Sequence, residues 1–180
     1  PEINSPQTPG FAKAVKWLWS DAPDGLVLHL EDDWICKEFV DTKLVAKWME
    51  TSVRAVQLLS VTHGKKGEKE YSESRYRKHY FGLRIGRRQI IPSFGTSPGF
   101  FLGEFLRQLA PHLRLDLDPE KQMKPDLNPA LWNIMAPYRV RLYKTRQREP
   151  IIEDLGIPWR NTRGIKKTAT NDGRSEWSKV

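Results

Sequence analysis

The stretch Gly25-Leu26-Val27-Leu28-His29-Leu30-Glu31-Asp32-Asp33-Trp34 decides how this chain is read. An apolar run follows the turn Asp21-Ala22-Pro23-Asp24-Gly25, which has Pro and Gly in their usual places. It predicts a buried strand over 26–31. Three carboxylates then close the strand. Like charges so close repel unless a cation or a set of donors offsets them. Two readings are open. Hard oxygen ligands at this spacing suit Mg²⁺ or Mn²⁺, which take one or two carboxylates plus substrate phosphates. Alternatively, the acids cap a following helix, where negative charge is stabilised.

With 180 residues the chain fits one domain with a sizeable core. A hydrophobic content of 38% with seven Trp excludes a wholly disordered chain. No apolar run approaches the roughly 20 residues of a membrane span, and no signal peptide is recognised. Cys36 is the only cysteine, so no intrachain disulfide forms. These traits are those expected of a cytoplasmic protein without an integral membrane segment. The chain opens on Pro1 rather than Met, as a piece of a longer protein would.

Lys and Arg number 30 against 22 Asp and Glu, a net +8. That balance favours anionic partners: nucleotides, phosphorylated sugars, nucleic acid or anionic lipid. The excess gathers at Arg139, Arg141, Lys144, Arg146 and Arg148, and again in the tail from Arg160 to Lys179.

Around the acidic stretch, helical and strand patterns alternate. Phe11, Ala14, Val15 and Leu18 predict a helix ending near Ser20. Asp41 is placed to cap a helix carrying Leu44, Val45, Trp48 and Met49. Residues 56–60 read as a strand, and 62–78 as a polar loop of the kind that covers a site. Residues 80–85 and 89–91 read as a hairpin through Gly86-Arg87-Arg88. The glycines and hydroxyls of Pro92–Phe101 permit close approach to a ligand, before a helix carrying Phe101, Phe105, Leu106 and Leu109. Further helices are expected from Leu117-Asp118-Pro119, from Asn128-Pro129, and over 151–156, ended by Gly156. A late strand covers 140–143. The whole predicts one α/β domain over 1–180, a mixed central sheet flanked by helices, with a basic irregular segment over about 144–180.

Taken together, Gly10-Phe11-Ala12-Lys13-Ala14, the acidic run Leu28–Asp33, Phe94-Gly95-Thr96-Ser97-Pro98-Gly99, Asp118-Pro119-Glu120-Lys121-Gln122 and Gly156-Ile157-Pro158-Trp159-Arg160 with Lys166-Lys167 resemble a nucleotide-sugar glycosyltransferase of the GT-A fold, family 2-like. The acidic run matches the family's DXD motif. The resemblance implies a divalent Mn²⁺ or Mg²⁺, a nucleotide-diphosphate sugar donor, and a glycan, lipid-linked or other hydroxyl acceptor. It implies Asp33 as metal ligand with Glu31 beside it. Asp32, Trp34, Arg160 and Lys166 would bind donor, and Gly95, Thr96, Ser97 and Gly99 acceptor. Glu120 would be the catalytic base of an inverting transfer, with Glu104 as rival. The family begins with a strand-helix-strand unit that grips the nucleotide base. The chain has too little sequence before Gly10 to supply it, so the sheet is expected to be incomplete on the N-terminal side.

The four histidines lack metal-ligand spacing, so zinc is not expected. Ser93, Thr96 and Ser97 have no evident His/Asp partners, and Gly95 to Gly99 lacks the Lys-Ser or Lys-Thr of a P-loop. The competing class is a nucleic-acid-binding protein or metal-dependent nuclease. Arg139 to Arg148, interleaved with Tyr138 and Tyr143, would track a phosphate backbone. The acidic triplet repels that backbone, and Asp116 with Asp118 is the only further close pair of acids for a two-metal site.

Overall fold

Ala12, Val15 and Trp19 lie on one face of the first helix, α1 (Phe11–Ser20), and are buried there. The computed structural model describes residues 10–49, 52–58, 60, 70–80, 83–144, 150–170 and 173–179. The buried stripe is rotated from the expected one, leaving Phe11 and Leu18 exposed. Trp19 accounts for the shift, because its large surface gains most from burial. It packs against His29 and Phe101 at ring-centroid distances of 6.0 Å.

The central sheet is mixed and four-stranded, in the order β1 (Leu26–His29), β6 (Gly99–Leu102), β3 (Val53–Leu58), β7 (Arg139–Tyr143). β6 runs antiparallel to both neighbours, whereas β3 and β7 are parallel. Side chains alternate across it. Phe101, Ala55 and Val140 join α1, α3 (Gly103–Leu109) and α4 (Pro129–Met135) in one core. Phe100, Val56 and Leu58 join Val45 and Met49 of α2 (Thr42–Met49) in the other. Helices therefore flank both faces, as expected.

Several expectations need correction. Leu26–Leu30 is not interior to the sheet. Among the described residues β1 pairs only with β6, which makes it an edge strand, and Leu28 and Leu30 are exposed. No helix follows the acids, which excludes the helix-cap reading. They form a turn into β2 (Trp34–Cys36), which pairs with β8 (Ile152–Asp154). The helix expected over 151–156 is thus partly strand, and Gly156 opens α5 (Gly156–Thr162) rather than ending a helix. Ile151 and Ile152 are fully buried, and that burial outweighs helical propensity. The strand expected over 56–60 lies at 53–58.

Part of the polar loop expected over 62–78 is strand. β4 (Glu73–Tyr80) pairs with β5 (Leu83–Pro92), so Gly86-Arg87-Arg88 lies within a strand. The connection falls at 81–82, outside the described residues, as do 61–69. No helix starts at Leu117-Asp118-Pro119; residues 119–127 make turns and bends instead. Phe101 belongs to β6 rather than to the helix after it. The tail is not irregular where described, since β9 (Ile165–Ala169) and β10 (Ser175–Lys179) form an antiparallel hairpin. The capped helices stand as expected. The Asp41 carboxylate accepts from the Lys43 and Leu44 backbone N–H groups at 3.0 and 3.1 Å, and Asn128 accepts from that of Leu131 at 3.2 Å.

Where β6 passes into α3, the Gly103 backbone N–H donates to the Gly25 carbonyl at 2.8 Å. A Cβ on Gly103 would overlap the Pro23 carbonyl. The turn that launches β1 is thereby seated on the helix start. Gly103→Ala is expected to lower unfolding free energy by about 1–3 kcal/mol, as overpacking does. Urea denaturation checks this against exposed Glu104→Ala, which should change little.

Candidate functional site

Glu31 and Asp33, two residues apart, and Glu120, from a segment distant in sequence, line one cleft of about 830 Å³. Asp33 is fixed by the β2–β8 pairing. Its carbonyl accepts from the Leu155 N–H at 2.7 Å, and Trp34 registers opposite Asp154. Its side chain presses on the first turn of α5, where a Cβ at Gly156 would overlap Oδ2. A glycine is required there by close approach, not by backbone conformation. Arg160, one turn further on, pairs with Asp33 Oδ2 at 3.4 Å and with Asp154 at 3.7 Å. The other oxygen, Asp33 Oδ1, is buried without a hydrogen-bond partner. A buried acceptor in that state is costly and marks a place where a ligand atom would be stabilised.

Glu31 carries the electrostatic signature of the cleft. Burial, and then the charges of Asp33 and Glu120, push its carboxyl up to about 7, against a hydrogen bond from Trp34 and the charge of Lys167. Trp34 therefore serves Glu31 through its indole N–H.

Glu120 is placed by a turn, not a helix. The Asp118 carboxylate accepts from the backbone N–H groups of Glu120 and Lys121 at 2.9 and 3.3 Å. Its second oxygen accepts from Ser175 at 2.6 Å and pairs with Lys167 at 3.1 Å. Burial acts to raise the Asp118 carboxyl, but Ser175 and Lys167 outweigh it and hold it below the usual range. Fully buried Gln122 fastens the next residues. It exchanges hydrogen bonds with the Arg114 backbone at 2.8 and 3.0 Å and accepts from Asn128 at 2.9 Å.

The remaining expected site residues divide. Asp32, Thr96 and Ser97 line the cleft, and Ser97 Oγ lies 3.5 Å from Glu120 Oε1. Gly95 backs onto the Glu120 carboxylate, at 3.2 Å from the place a Cβ would take. Gly99 is not in the cleft. It lies within β6, where a Cβ would meet the Val56 carbonyl at 2.8 Å, so strand packing explains it. Glu104 is exposed on the first turn of α3 and does not line the cleft. Lys166 is also exposed and absent from the lining; its neighbour Lys167 takes the place expected for it. The alternation of a strand puts consecutive lysines on opposite faces. Reading residues 165–169 as a strand would have found this.

Lys13 and Arg174 also line the cleft, and Phe11 forms part of its wall with Lys167 6.0 Å from the ring. The sequence reading assigned these residues no site role. Cations and acids are interleaved along the site, Arg160 beside Asp33 and Lys167 beside Asp118. Such a cleft suits a ligand with a phosphate end and a metal- or hydroxyl-bearing end. Among the described residues no group of three His, Cys, Asp or Glu is arranged to hold a metal by itself. One or two carboxylates suffice where substrate phosphates complete the shell. The unpartnered Asp33 Oδ1, with Glu31 nearby, fits that smaller share.

The raised Glu31 carboxyl has a consequence for stability. Between its ordinary value of 4.5 and about 7 the folded state holds more protons than the unfolded one, so this group's contribution falls as pH rises through that window. Glu31→Gln, which mimics the protonated form, should raise the melting temperature more at pH 8 than at pH 5. Thermal unfolding across pH checks this. An equal shift at both values would mean that Glu31 does not titrate in the window.

No family model matches the chain, and neither a curated protein nor a solved structure matches it.

Proposed function

We propose that this protein transfers a sugar from a nucleotide-diphosphate donor to an acceptor hydroxyl in a metal-dependent, inverting displacement. One observation carries the reading: a buried, unpartnered Asp33 oxygen shares a cleft with Glu31, Glu120 and the cations Arg160 and Lys167. Asp33, assisted by Glu31, would hold Mn²⁺ or Mg²⁺, which neutralises charge on the departing diphosphate.

The chain's own groups account for the rest. Arg160 and Lys167 bind diphosphate oxygens, Arg160 as a planar fork and Lys167 as a point charge. Glu120 accepts the acceptor's hydroxyl proton while the acceptor oxygen bonds to the anomeric carbon. The bond from that carbon to the diphosphate oxygen breaks, and its electron pair leaves with the diphosphate. Ser97, beside the Glu120 carboxylate, orients the hydroxyl. Glu31, its carboxyl held up at about 7 by burial and the charges of Asp33 and Glu120, would take its charged form more readily beside a bound cation.

The nucleic-acid reading is less well supported. Arg141 lies over the Trp48 ring at 4.1 Å and pairs with Glu70, and Arg139 lies over Tyr71 at 4.5 Å. These cations are engaged within the protein; residues 145–149 lie outside the described residues. Asp116 pairs with Arg114, and Asp118 with Lys167, so neither is poised for a second nuclease metal.

The test is calorimetric binding of UDP and GDP with and without Mn²⁺, in wild type and two variants. Asp33→Asn should abolish the Mn²⁺-dependent part in a folded protein. Glu120→Gln should bind as wild type yet lower transfer by about 10²-fold or more. Unchanged Mn²⁺-dependent binding in folded Asp33→Asn would remove the metal assignment.

A further inference from the structure

A second cavity, of about 960 Å³, lies between the β4–β5 hairpin and the turns that follow Asp118. Among the described residues Glu120 is the one common to its lining and that of the first cleft. The proposed base thus stands at the boundary between two chambers. A reactant in the first chamber and one in the second would meet beside its carboxylate.

The second chamber is strongly cationic. Arg75 and Arg77 of β4, Arg88 of β5, and Lys121 and Lys124 of the turns all line it. Among the described residues its lining carboxylates are Glu120 and Asp126, and Asp126 accepts a hydrogen bond from Tyr76. Among the described residues none of the five cations forms an ion pair. They come from two separate parts of the chain, so sequence clustering does not explain their meeting. Their mutual repulsion is a cost that an anion would relieve. The hairpin presenting the arginines is anchored to the body. The Ser72 N–H donates to the Val140 carbonyl at 2.8 Å, the Ser93 N–H to the Ser72 carbonyl at 2.9 Å, and Ser74 to Ser93 at 3.0 Å.

We propose that this second cavity is the acceptor site and that the acceptor is a phosphorylated sugar, its phosphate held by Arg75, Arg77 and Arg88 and its hydroxyl presented to Glu120. The proposal rests on the transferase reading and names the substrate class of the same site. Guanidinium forks match phosphate geometry. Ile91, Pro92 and Met123 supply an apolar wall for a sugar ring. A single-stranded nucleic acid would call for a row of stacking aromatics, and among the described residues the lining has Tyr76 and Phe94 alone.

The probes are glucose 6-phosphate and glucose, titrated calorimetrically at low salt into the protein with and without UDP and Mn²⁺. Glucose 6-phosphate should bind at least about tenfold tighter than glucose. Arg75→Ala/Arg88→Ala should remove that preference and leave binding of UDP with Mn²⁺ within about twofold. Lys121→Glu/Lys124→Glu, on the other segment, should do the same and serves if the hairpin variant does not fold. Equal affinity for the two sugars in a protein that binds UDP with Mn²⁺ sinks the acceptor assignment alone. A preference that survives both variants but is lost in Lys167→Ala places the phosphate in the first cleft and overturns the proposal. So does tighter binding of an oligothymidylate through the same arginines. Selective glucose 6-phosphate binding in a protein that ignores both UDP and GDP with Mn²⁺ overturns the transferase reading and the acceptor role with it, leaving only an anion site.

Discussion

Repulsion among Glu31, Asp33 and Glu120 is the constraint around which the cleft is organised. Three carboxylates facing one cleft repel one another, and the fold meets that cost in different ways. Arg160 pairs with Asp33, Trp34 donates to Glu31, and Lys167 adds positive charge near both Glu31 and Asp118. Burial first, and then the repulsion that remains, holds the Glu31 carboxyl up at about 7. A site under that tension gains from a bound cation, and the same tension opposes any approaching anion that brings no cation with it.

The acids are held together against this repulsion by backbone anchors more than by ion pairs. Asp33 is tied through the β2–β8 ladder, which rests on the buried Ile151 and Ile152. Glu120 is tied through Asp118, which reaches both its own turn and the β9–β10 hairpin, and through the Gln122–Asn128 pair beneath it. Buried, fully satisfied polar groups of this kind fix one geometry, because any other leaves a donor or acceptor unpaired. Lys167 joins the two systems, since the hairpin that places it also braces Asp118. Metal, diphosphate and base functions would thus share one scaffold, in which loosening the tail hairpin would disturb all three.

Much of the architecture was legible in local pattern. A strand just ahead of the acids, the Asp41 and Asn128 caps and a late strand near 140–143 all follow from spacing and turn chemistry, as does an α/β layering with helices on both faces, although the first strand stops at His29 short of the acids. The acidic run is likewise readable as a charged cluster at a strand's end, because strand, turn and charge are properties of consecutive residues. Local reading failed where burial overrode propensity. Residues 151–154 look helical, yet two isoleucines with no exposed surface draw them into a strand. Asp118-Pro119 looks like a helix start, yet the Asp118 side chain closes a turn and spends its second oxygen on a distant hairpin.

Which distant groups meet was decided only by tertiary structure. Nothing in the spacing of Glu120 from the acidic run says that it shares a cleft with Glu31 and Asp33, and strand alternation separates Lys166 from Lys167 without saying which of them faces the cleft. The separate origins of Arg75, Arg88 and Lys121 hide the cationic chamber from any window of sequence. The physical reason is range. Hydrophobic period, capping and turn preference act over a few residues, whereas charge, desolvation and cavity shape depend on distance in space. Composition alone determined that this protein carries excess positive charge; the packing of the hairpin against the turns decided where much of it is gathered.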